Sequence, residues 1–459
     1  MKFKVLILAA GKGTRFKSEL PKVLHKILGK PMLYYVIKAA LDSGAEEVGV
    51  VIGHKKELVE EYLKKEFPQV KTFYQEEQLG TGHAVLTATP FFENYNGRLI
   101  VLNGDTPLIE KETIKALSSA EGDLIVLTSE TKTPAGYGRI LRKGKEIIKI
   151  VEEKDASEEE KKITEINTGI YAFNAKKLPQ TLKKLKNHNA QKEYYLTDLV
   201  EIFKKEGLKV TALFTEKFES VMGVNNRYEL SKAEELLKRK ILKKHQLNGV
   251  TIHNPQSAYI EPEVEIGKDT EIFAPIYIKG KTKIGKNCFL DAYSTIEDST
   301  LENNVTVNSH CWIKKTTLKE NSSVGPFAKL RPGTILENSA KIGTFVETKN
   351  AHIKRGAKAN HLSYLGDCTI GENTNIGAGT ITCNYDGFNK WKTEIGKNVF
   401  VGSNTLFVAP VKVEDQSITA AGSVITKDVP PNTLAIAREK QINLVGKAEA
   451  IRKKKREQK

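Results

Sequence analysis

The sequence predicts an α/β domain built on a mostly parallel sheet, followed by a parallel β-helix of hexapeptide repeats. Two rhythms carry that expectation. Over 5–128, apolar strand-like runs alternate with segments of helical spacing, the pattern of a sheet covered by helices on both faces. Over 264–425 an aliphatic residue, often followed by Gly, recurs in units of six: Ile266-Gly267, Ile284-Gly285, Val324-Gly325, Ile342-Gly343, Leu365-Gly366, Ile370-Gly371, Ile376-Gly377, Ile395-Gly396 and Val401-Gly402. A period of six fits neither a helix nor a two-residue alternation, so each unit reads as one flat side of a coiled prism. The aliphatic residue is expected to point inward onto its equivalent one coil away, with the Gly beside it permitting the corner.

Each element follows in order. Residues 5–10 form an apolar run suited to a strand buried on both faces, and after a Gly-rich loop 32–41 have helical spacing. Strands are expected at 48–52, 99–102 and 124–128, and helices at 56–67 and 111–120. Such sheets place ligands at the carboxyl ends of their strands. Residues 227–245, with Leu230, Ala233, Leu236, Leu237, Ile241 and Leu242 on one face, read as a long basic amphipathic connector. The expected division is a first domain over 1–227, a linker helix over 228–250, the repeat domain over 251–437 and a basic tail over 438–459.

Composition bounds the function. A chain of 459 residues calls for two or three domains, and its net charge of +16 suits nucleic acid, a membrane surface or phosphorylated small substrates. The densest charge, Arg452-Lys453-Lys454-Lys455-Arg456, reads as a solvated tail. No DNA or RNA module is recognisable, which argues against a nucleic-acid partner. Cys288, Cys311, Cys368 and Cys383 are widely spaced with no C-x-x-C pair, so buried free thiols are expected rather than a zinc site. Residues 1–4 run directly into the first strand, and no apolar stretch has membrane-spanning length, so a cytoplasmic protein with no membrane partner is expected.

The motifs narrow this further. Leu8-Ala9-Ala10-Gly11-Lys12-Gly13-Thr14-Arg15-Phe16 follows the first strand, with Leu20-Pro21-Lys22-Val23-Leu24 close behind. A Gly-rich turn there lets backbone N–H groups close on phosphate oxygens, yet the spacing is neither that of a Walker loop nor that of a dinucleotide fingerprint. Gln75 and Gln78, in a run that continues through Gly80 and Thr81, offer amides to a base edge. Asn103-Gly104-Asp105 ends a buried strand, where a carboxylate facing phosphates is a natural Mg²⁺ ligand. Gly136-Tyr137-Gly138-Arg139, Glu152-Glu153-Lys154-Asp155, Asn167-Thr168-Gly169 and Gly223-Val224-Asn225-Asn226-Arg227 complete the set; singly, each reads as a cap or turn. In the repeats the phase slips between Ile376 and Ile395, where Thr382-Cys383-Asn384-Tyr385-Asp386-Gly387-Phe388-Asn389-Lys390-Trp391 reads as an external, ligand-binding insertion.

Together these strings resemble the bifunctional bacterial family of N-acetylglucosamine-1-phosphate uridyltransferases / glucosamine-1-phosphate N-acetyltransferases, along nearly the whole chain. The resemblance also takes in Asn189-Ala190-Gln191-Lys192-Glu193-Tyr194-Tyr195-Leu196-Thr197-Asp198 and Ala359-Asn360-His361-Leu362-Ser363-Tyr364-Leu365-Gly366-Asp367. It implies a Rossmann-like nucleotidyltransferase domain, a left-handed β-helix and a homotrimer. The implied substrates are UTP, N-acetylglucosamine 1-phosphate, glucosamine 1-phosphate and acetyl-coenzyme A, with Mg²⁺ as cofactor. It places Leu8, Ala9, Ala10, Gly11, Gln75, Gly80 and Thr81 at the uridine end, and Arg15 and Lys22 on the triphosphate. Asn103 and Gly104 are among the substrate-binding residues, and Gly138, Glu152 and Asn167 contact the N-acetylglucosamine. Asp105 and Asn225 hold the metal.

In the second site the resemblance puts Arg331 and Lys349 on the sugar phosphate and Tyr364 and Asn375 on the sugar. Asn384 and Tyr385 lie near the thioester, and Ala378, Ser403, Ala421 and Arg438 on acetyl-coenzyme A. Amide formation needs a base to take the proton of the sugar ammonium, and His361 is the candidate, with Glu347 as its orienting partner. Two departures are visible: Asn103 stands where the family commonly has Tyr, and Phe16 where it has Met, so altered packing is expected rather than lost chemistry. The alternative is a single-activity sugar nucleotidyltransferase whose β-helix is only structural.

Overall fold

The computed structural model describes residues 2–458; Met1 and Lys459, at the outer ends of the expected leading segment and basic tail, lie outside the described residues. Two compact units, Met1–Leu237 and Lys238–Lys459, divide within a helix.

The first unit runs β1 (Phe3–Ala9), α1 (Met32–Asp42), β2 (Val48–Ile52), α2 (Lys56–Glu66), β3 (Lys71–Tyr74), α3 (Thr81–Thr87), β4 (Arg98–Asn103), α4 (Lys111–Ser119) and β5 (Leu124–Glu130). The hairpin β6 (Gly138–Lys143) and β7 (Glu146–Val151) follows, then β8 (Glu165–Asn174), α5 (Leu178–Leu182), α6 (Leu199–Lys205), β9 (Val210–Thr215), α7 (Phe218–Val221) and α8 (Arg227–Leu247). Alternation in β1 shows why the sheet is central. Val5, Ile7 and Ala9 enter one core with α1, α2 and α4, whereas Leu6 enters another with α3, α5 and α6. Val5, Leu6 and Ile7, fully buried, each contribute about 1.5–3 kcal/mol.

The sheet order is β9-β5-β8-β4-β1-β2-β3, with the β6–β7 hairpin attached to β8. Neighbours are parallel except at β8, which is antiparallel to both β4 and β5. The carboxyl ends of β1 to β4 thus share one edge, and β8, running the other way, brings its opening residues to that same edge. A register shift between Asn167 and Tyr171 marks a bulge there, with Gly169 at φ 73°.

In the second unit, Ile272 lies beside Leu290 and Leu290 beside Val307, so successive coils take 18 and 17 residues, three hexapeptide sides in the first and one residue fewer in the second. Val324, Ile342, Leu365, Ile370, Ile376, Ile395 and Val401 are all buried in the prism core. Ile266 is only partly buried, at the edge of that core. Apart from Gly325, at φ 91°, the glycines beside them act differently from the expectation. A Cβ on Gly267 would stand 2.5 Å from the Gly285 carbonyl oxygen, and one on Gly285 would stand 2.7 Å from the Asn303 side-chain oxygen, so these glycines admit the backbone of the next coil. The left-handed corner conformation falls instead mainly on Asn and Asp: Asp269, Asn287, Asn304, Asn321, Asn373 and Asn398 lie at φ 54–63°. Cys288, Cys311 and Cys368 are buried free thiols, whereas Cys383 is half-buried. Burial raises the Cys311 thiol to about 11 and the Cys368 thiol to about 12. Among the described residues no helix is long and apolar enough to cross a membrane. The tail forms α9 (Lys447–Glu457), in which no residue is buried.

Candidate active sites

The shared edge of the first sheet opens into a cavity of about 640 Å³. It brings together Leu8, Ala9, Ala10, Gly11, Arg15, Lys22, Gln75, Gly80, Thr81, Asn103, Asp105, Gly138, Glu152, Asn167 and Asn225. Gly104 packs just behind, its N–H donating to the Leu8 carbonyl at 2.9 Å. The two loop glycines have separate reasons. A Cβ on Gly11 would meet nothing within 4 Å, so backbone there faces open space that a phosphate can approach. Gly13, at φ 59°, leaves room for Lys22, whose Cβ would lie 2.6 Å from an added methyl.

Lys22 is the hub of one side of the cavity. Its ammonium donates to the Asp105 carboxylate in a short ion pair and to Asn225 Oδ1 at 2.8 Å, and Arg15 donates to the same Asn225 oxygen at 2.8 Å. The Val224 N–H donates to the Asp105 carbonyl at 2.9 Å and ties the two loops together. A carboxylate and an amide oxygen thus converge on one cation. That donor set fits Mg²⁺, which takes hard oxygen ligands from one or two protein groups and the rest from phosphates and water. No cluster of three or more acidic, His or Cys ligands occurs among the described residues.

Before α3, the buried Gln75 donates through Nε2 to the Gly80 carbonyl at 3.1 Å and meets His83 Nδ1 at 3.0 Å. With its NH₂ tied down, Gln75 keeps its side-chain carbonyl as the group that could accept an imide N–H. Gln78 likewise spends its NH₂ on the carbonyls of Gln75 and Glu76, both at 3.2 Å. Gly80, at φ 105°, admits the Tyr194 carbonyl, which would lie 2.7 Å from a Cβ, and Thr81 accepts the Leu196 N–H at 3.1 Å. The segment 194–196 therefore clamps the loop that leads into α3.

At the opposite end, Glu152 accepts from Thr197 Oγ1 at 3.2 Å, and Asn167 donates to the buried Tyr171 hydroxyl at 2.7 Å. Burial, reinforced by Asp198, Asp155 and Glu193, holds the Glu152 carboxyl above the usual range. The two departures from the family pattern are accommodated by packing. Phe16 is buried against His25 with ring centroids 4.6 Å apart, and Asn103 donates to the Gly169 carbonyl at 3.3 Å.

On the β-helix, strands of successive coils carry the second set. Glu347 lies beside Tyr364, and Lys349 beside Gly366. A Cβ on Gly366 would touch the Tyr364 hydroxyl at 2.5 Å, so Gly at this position lets the phenol lie along its own strand. Asp367 accepts from Asn350 at 2.8 Å and from the buried Asn384 in a short bond, and it faces Lys349 at 3.9 Å. The Lys390 ammonium beside Lys349 lowers its proton affinity, and burial adds to this. Two ammonium groups crowded together, with Arg331 also near, form a site shaped for a dianion. Lys390 carries no role in the sequence reading; only folding of the insertion brings it to Lys349, so no spacing rule could find it.

Glu347 differs from its expected role: its carboxylate pairs with Arg331 at 3.0 Å, and His361 makes no side-chain hydrogen bond to it within the described residues. His361 itself is exposed, with its carbonyl accepting from Ser363 Oγ at 2.8 Å. Below it, the Ala378 carbonyl accepts from Asn404 N, the Ser403 carbonyl from Gly422 N at 2.8 Å, and the Ala421 carbonyl from Arg438 Nη1 at 2.7 Å. Ala378, Ser403 and Ala421 thus form a column of small residues ending at a guanidinium. Asn375 sits beside Lys358 and Phe400 in the same sheet. The phase slip is an outward turn: Ile381 pairs with Leu406, a step of 25 residues where other coils take 17 or 18. Asp386 accepts from the N–H groups of Phe388 and Asn389 and from Trp391 Nε1, which holds its carboxyl down at about 2 and keeps Tyr385 and Phe388 exposed on the rim.

Residues 4–248 match the family model described as Nucleotidyl transferase, and 392–427 match that of the Hexapeptide repeat of succinyl-transferase. The chain is 47% identical to the Bifunctional protein GlmU of Clostridioides difficile over 96% of both chains. It is 50% identical to that of Syntrophotalea carbinolica, over 95% of this chain and 94% of the relative, and 50% identical to that of Fervidobacterium nodosum, over 99% and 98%. A nucleotidyltransferase cavity and a hexapeptide-repeat site in one chain, matched end to end by these relatives, place this protein in the bifunctional GlmU family, as an enzyme with both uridyltransferase and acetyltransferase activities.

Proposed function

We propose that the β-helix site acetylates glucosamine 1-phosphate and that the sheet-edge cavity then joins the product to UTP, giving UDP-N-acetylglucosamine. The observation that carries the second step is the convergence of Lys22, Arg15, Asp105 and Asn225 on one point beside the Gly-rich turn. The sugar phosphate oxygen attacks the α-phosphorus in line and pyrophosphate leaves. An attacking phosphate is already anionic, so the residues position it and offset charge rather than remove a proton. Arg15, Lys22 and the Gly11 backbone hold the triphosphate; Gln75 accepts from the uracil; Gly138, Glu152 and Asn167 hold the sugar. Asp105 and Asn225 would hold Mg²⁺, which would supply positive charge to offset that of the phosphates.

In the acetyl transfer, Arg331, Lys349 and Lys390 hold the sugar phosphate. His361 takes one proton of the 2-ammonium, the amine attacks the thioester carbonyl, and as the C–S bond breaks the surplus proton of the attacking nitrogen leaves with the sulfur as the coenzyme A thiol. Four coil steps of about 4.8 Å separate His361 from Arg438, roughly 19 Å, a span suited to the extended arm of acetyl-coenzyme A. A homotrimer is supported by exposure. His361, Ser403, Ala421 and Arg438 are exposed in one chain, and an exposed ladder of Tyr293, His310, Phe327 and Phe345 rings stacks at 4.6–5.4 Å along a prism corner, apolar surface that a second copy would cover. Incubating the protein with glucosamine 1-phosphate, acetyl-coenzyme A, UTP and Mg²⁺ should yield N-acetylglucosamine 1-phosphate and then UDP-N-acetylglucosamine by mass. Uridylylation of unacetylated sugar phosphate as the main product would contradict the proposed order.

A further inference from the structure

We infer that Arg139, paired with Glu153, is a positioning residue that sets the geometry of the sugar end of the uridylyl site. Arg139 is only 1% exposed, and neither it nor Glu153 lines the cavity. Their sequence neighbours do: Tyr137 and Gly138 on one side, Glu152 on the other. The guanidinium reaches three separate segments. Nη1 pairs with Glu153 Oε2 at 2.8 Å and donates in a short bond to the Tyr137 carbonyl; Nε and Nη2 both donate to the Lys161 carbonyl at 3.3 Å. Glu153 Oε2 in turn accepts the Gly136 N–H at 3.2 Å.

The backbone around this hub carries the three candidate sugar contacts. Arg139 is paired with Val151 across the β6–β7 hairpin, so Glu152 leaves the strand one residue beyond that pair. It is paired with Ile166 of β8, and the next pair is Gly138 with Asn167. Gly138, Glu152 and Asn167 therefore all hang from the frame that one planar, multiply donating cation holds together. A guanidinium suits this task because its fork is rigid, and a Lys ammonium at the same place cannot reach all three acceptors. Shifting the frame moves the sugar relative to the phosphate end, where Lys22 and Asp105 stand on other elements.

This inference rests on Gly138, Glu152 and Asn167 being sugar contacts, so the test includes Asn167→Ala beside Arg139→Lys, Arg139→Ala and Glu153→Gln. Michaelis constants for N-acetylglucosamine 1-phosphate and for UTP are measured separately, with acetyl transfer and thermal unfolding of the same preparations as checks on folding. Arg139→Lys should raise the sugar-phosphate constant by about tenfold while the UTP constant stays within about twofold, Arg139→Ala should raise it further, and Glu153→Gln should raise it less. If the Arg139 variants do not fold, the Glu153→Gln constants decide by the same criterion. A rise for Asn167→Ala with none for Arg139→Lys or Glu153→Gln overturns the inference. No rise for Asn167→Ala overturns the sugar-end assignment and the inference with it.

Discussion

Replacing Gly13 by Ala tests whether the glycine loop exists to seat Lys22. The new methyl would lie 2.6 Å from Lys22 Cβ, whereas carbon pairs settle at about 3.5–4.0 Å, so the two segments must part by about 1 Å. Lys22 holds both Asp105 and Asn225, so the shift reaches every group at the phosphate end. A misplacement of about 1 Å costs on the order of 100-fold in rate, which corresponds to about 2.7 kcal/mol of transition-state stabilisation. The left-handed backbone at φ 59° is a further strain for Ala, about 1–2 kcal/mol, which a domain stable by about 5–15 kcal/mol survives. Pyrophosphate release from UTP and N-acetylglucosamine 1-phosphate is the assay, with acetyl transfer by the same sample as the folding control. Uridylyl transfer should fall about 100-fold with acetyl transfer unchanged; a fall of less than about threefold would refute the packing argument.

Asp105→Ala should raise the Mg²⁺ concentration needed for uridylyl transfer steeply and leave acetyl transfer alone; an unchanged Mg²⁺ titration would show that Asp105 is no ligand. Burial, with repulsion from Glu201 and Asp155, raises the Asp198 carboxyl to about 6. The folded chain therefore keeps a proton that the unfolded chain releases near pH ~3.9, and this advantage is lost as pH rises towards the folded value. Asp198→Asn should stabilise the protein by roughly 1–3 kcal/mol near pH ~7.5 and by less near pH ~4.5, read as thermal midpoints; a gain independent of pH would contradict this. Truncation after Gly446 should preserve both activities, whereas truncation before Arg438 should raise the acetyl-coenzyme A Michaelis constant, and equal damage would give the α9 tail a role.

Much of the first domain was legible because strands buried on both faces are near-continuous aliphatic runs: 48–52 marks β2, and 5–10 and 99–102 fall within a residue or two of β1 and β4. β8 was not, since Glu165–Asn174 is interrupted by the Asn167–Gly169 bulge and its antiparallel placement depends on partners distant in sequence. The same bulge turns Asn167 towards the cavity, so the irregularity that hid the strand is part of the site. In the β-helix the six-residue beat was plain, but the reason for its glycines lay in contacts one coil away. Resemblance of the strings around them to the family's motifs pointed to Lys22 and His361, and its place at the end of a buried strand to Asp105; the pairing of Glu347 with Arg331 and the approach of Lys390 to Lys349 depend on which coil lies above which.

The claim that two separate sites share one chain is tested most directly with His361→Ala, assayed for both reactions in one folded preparation. General-base catalysis supplies about 10²–10⁴-fold, so acetyl transfer should fall by that order while uridylyl transfer from supplied N-acetylglucosamine 1-phosphate stays within about twofold. Retention of acetyl transfer, or loss of both activities in a variant that unfolds at the parent temperature, would contradict it.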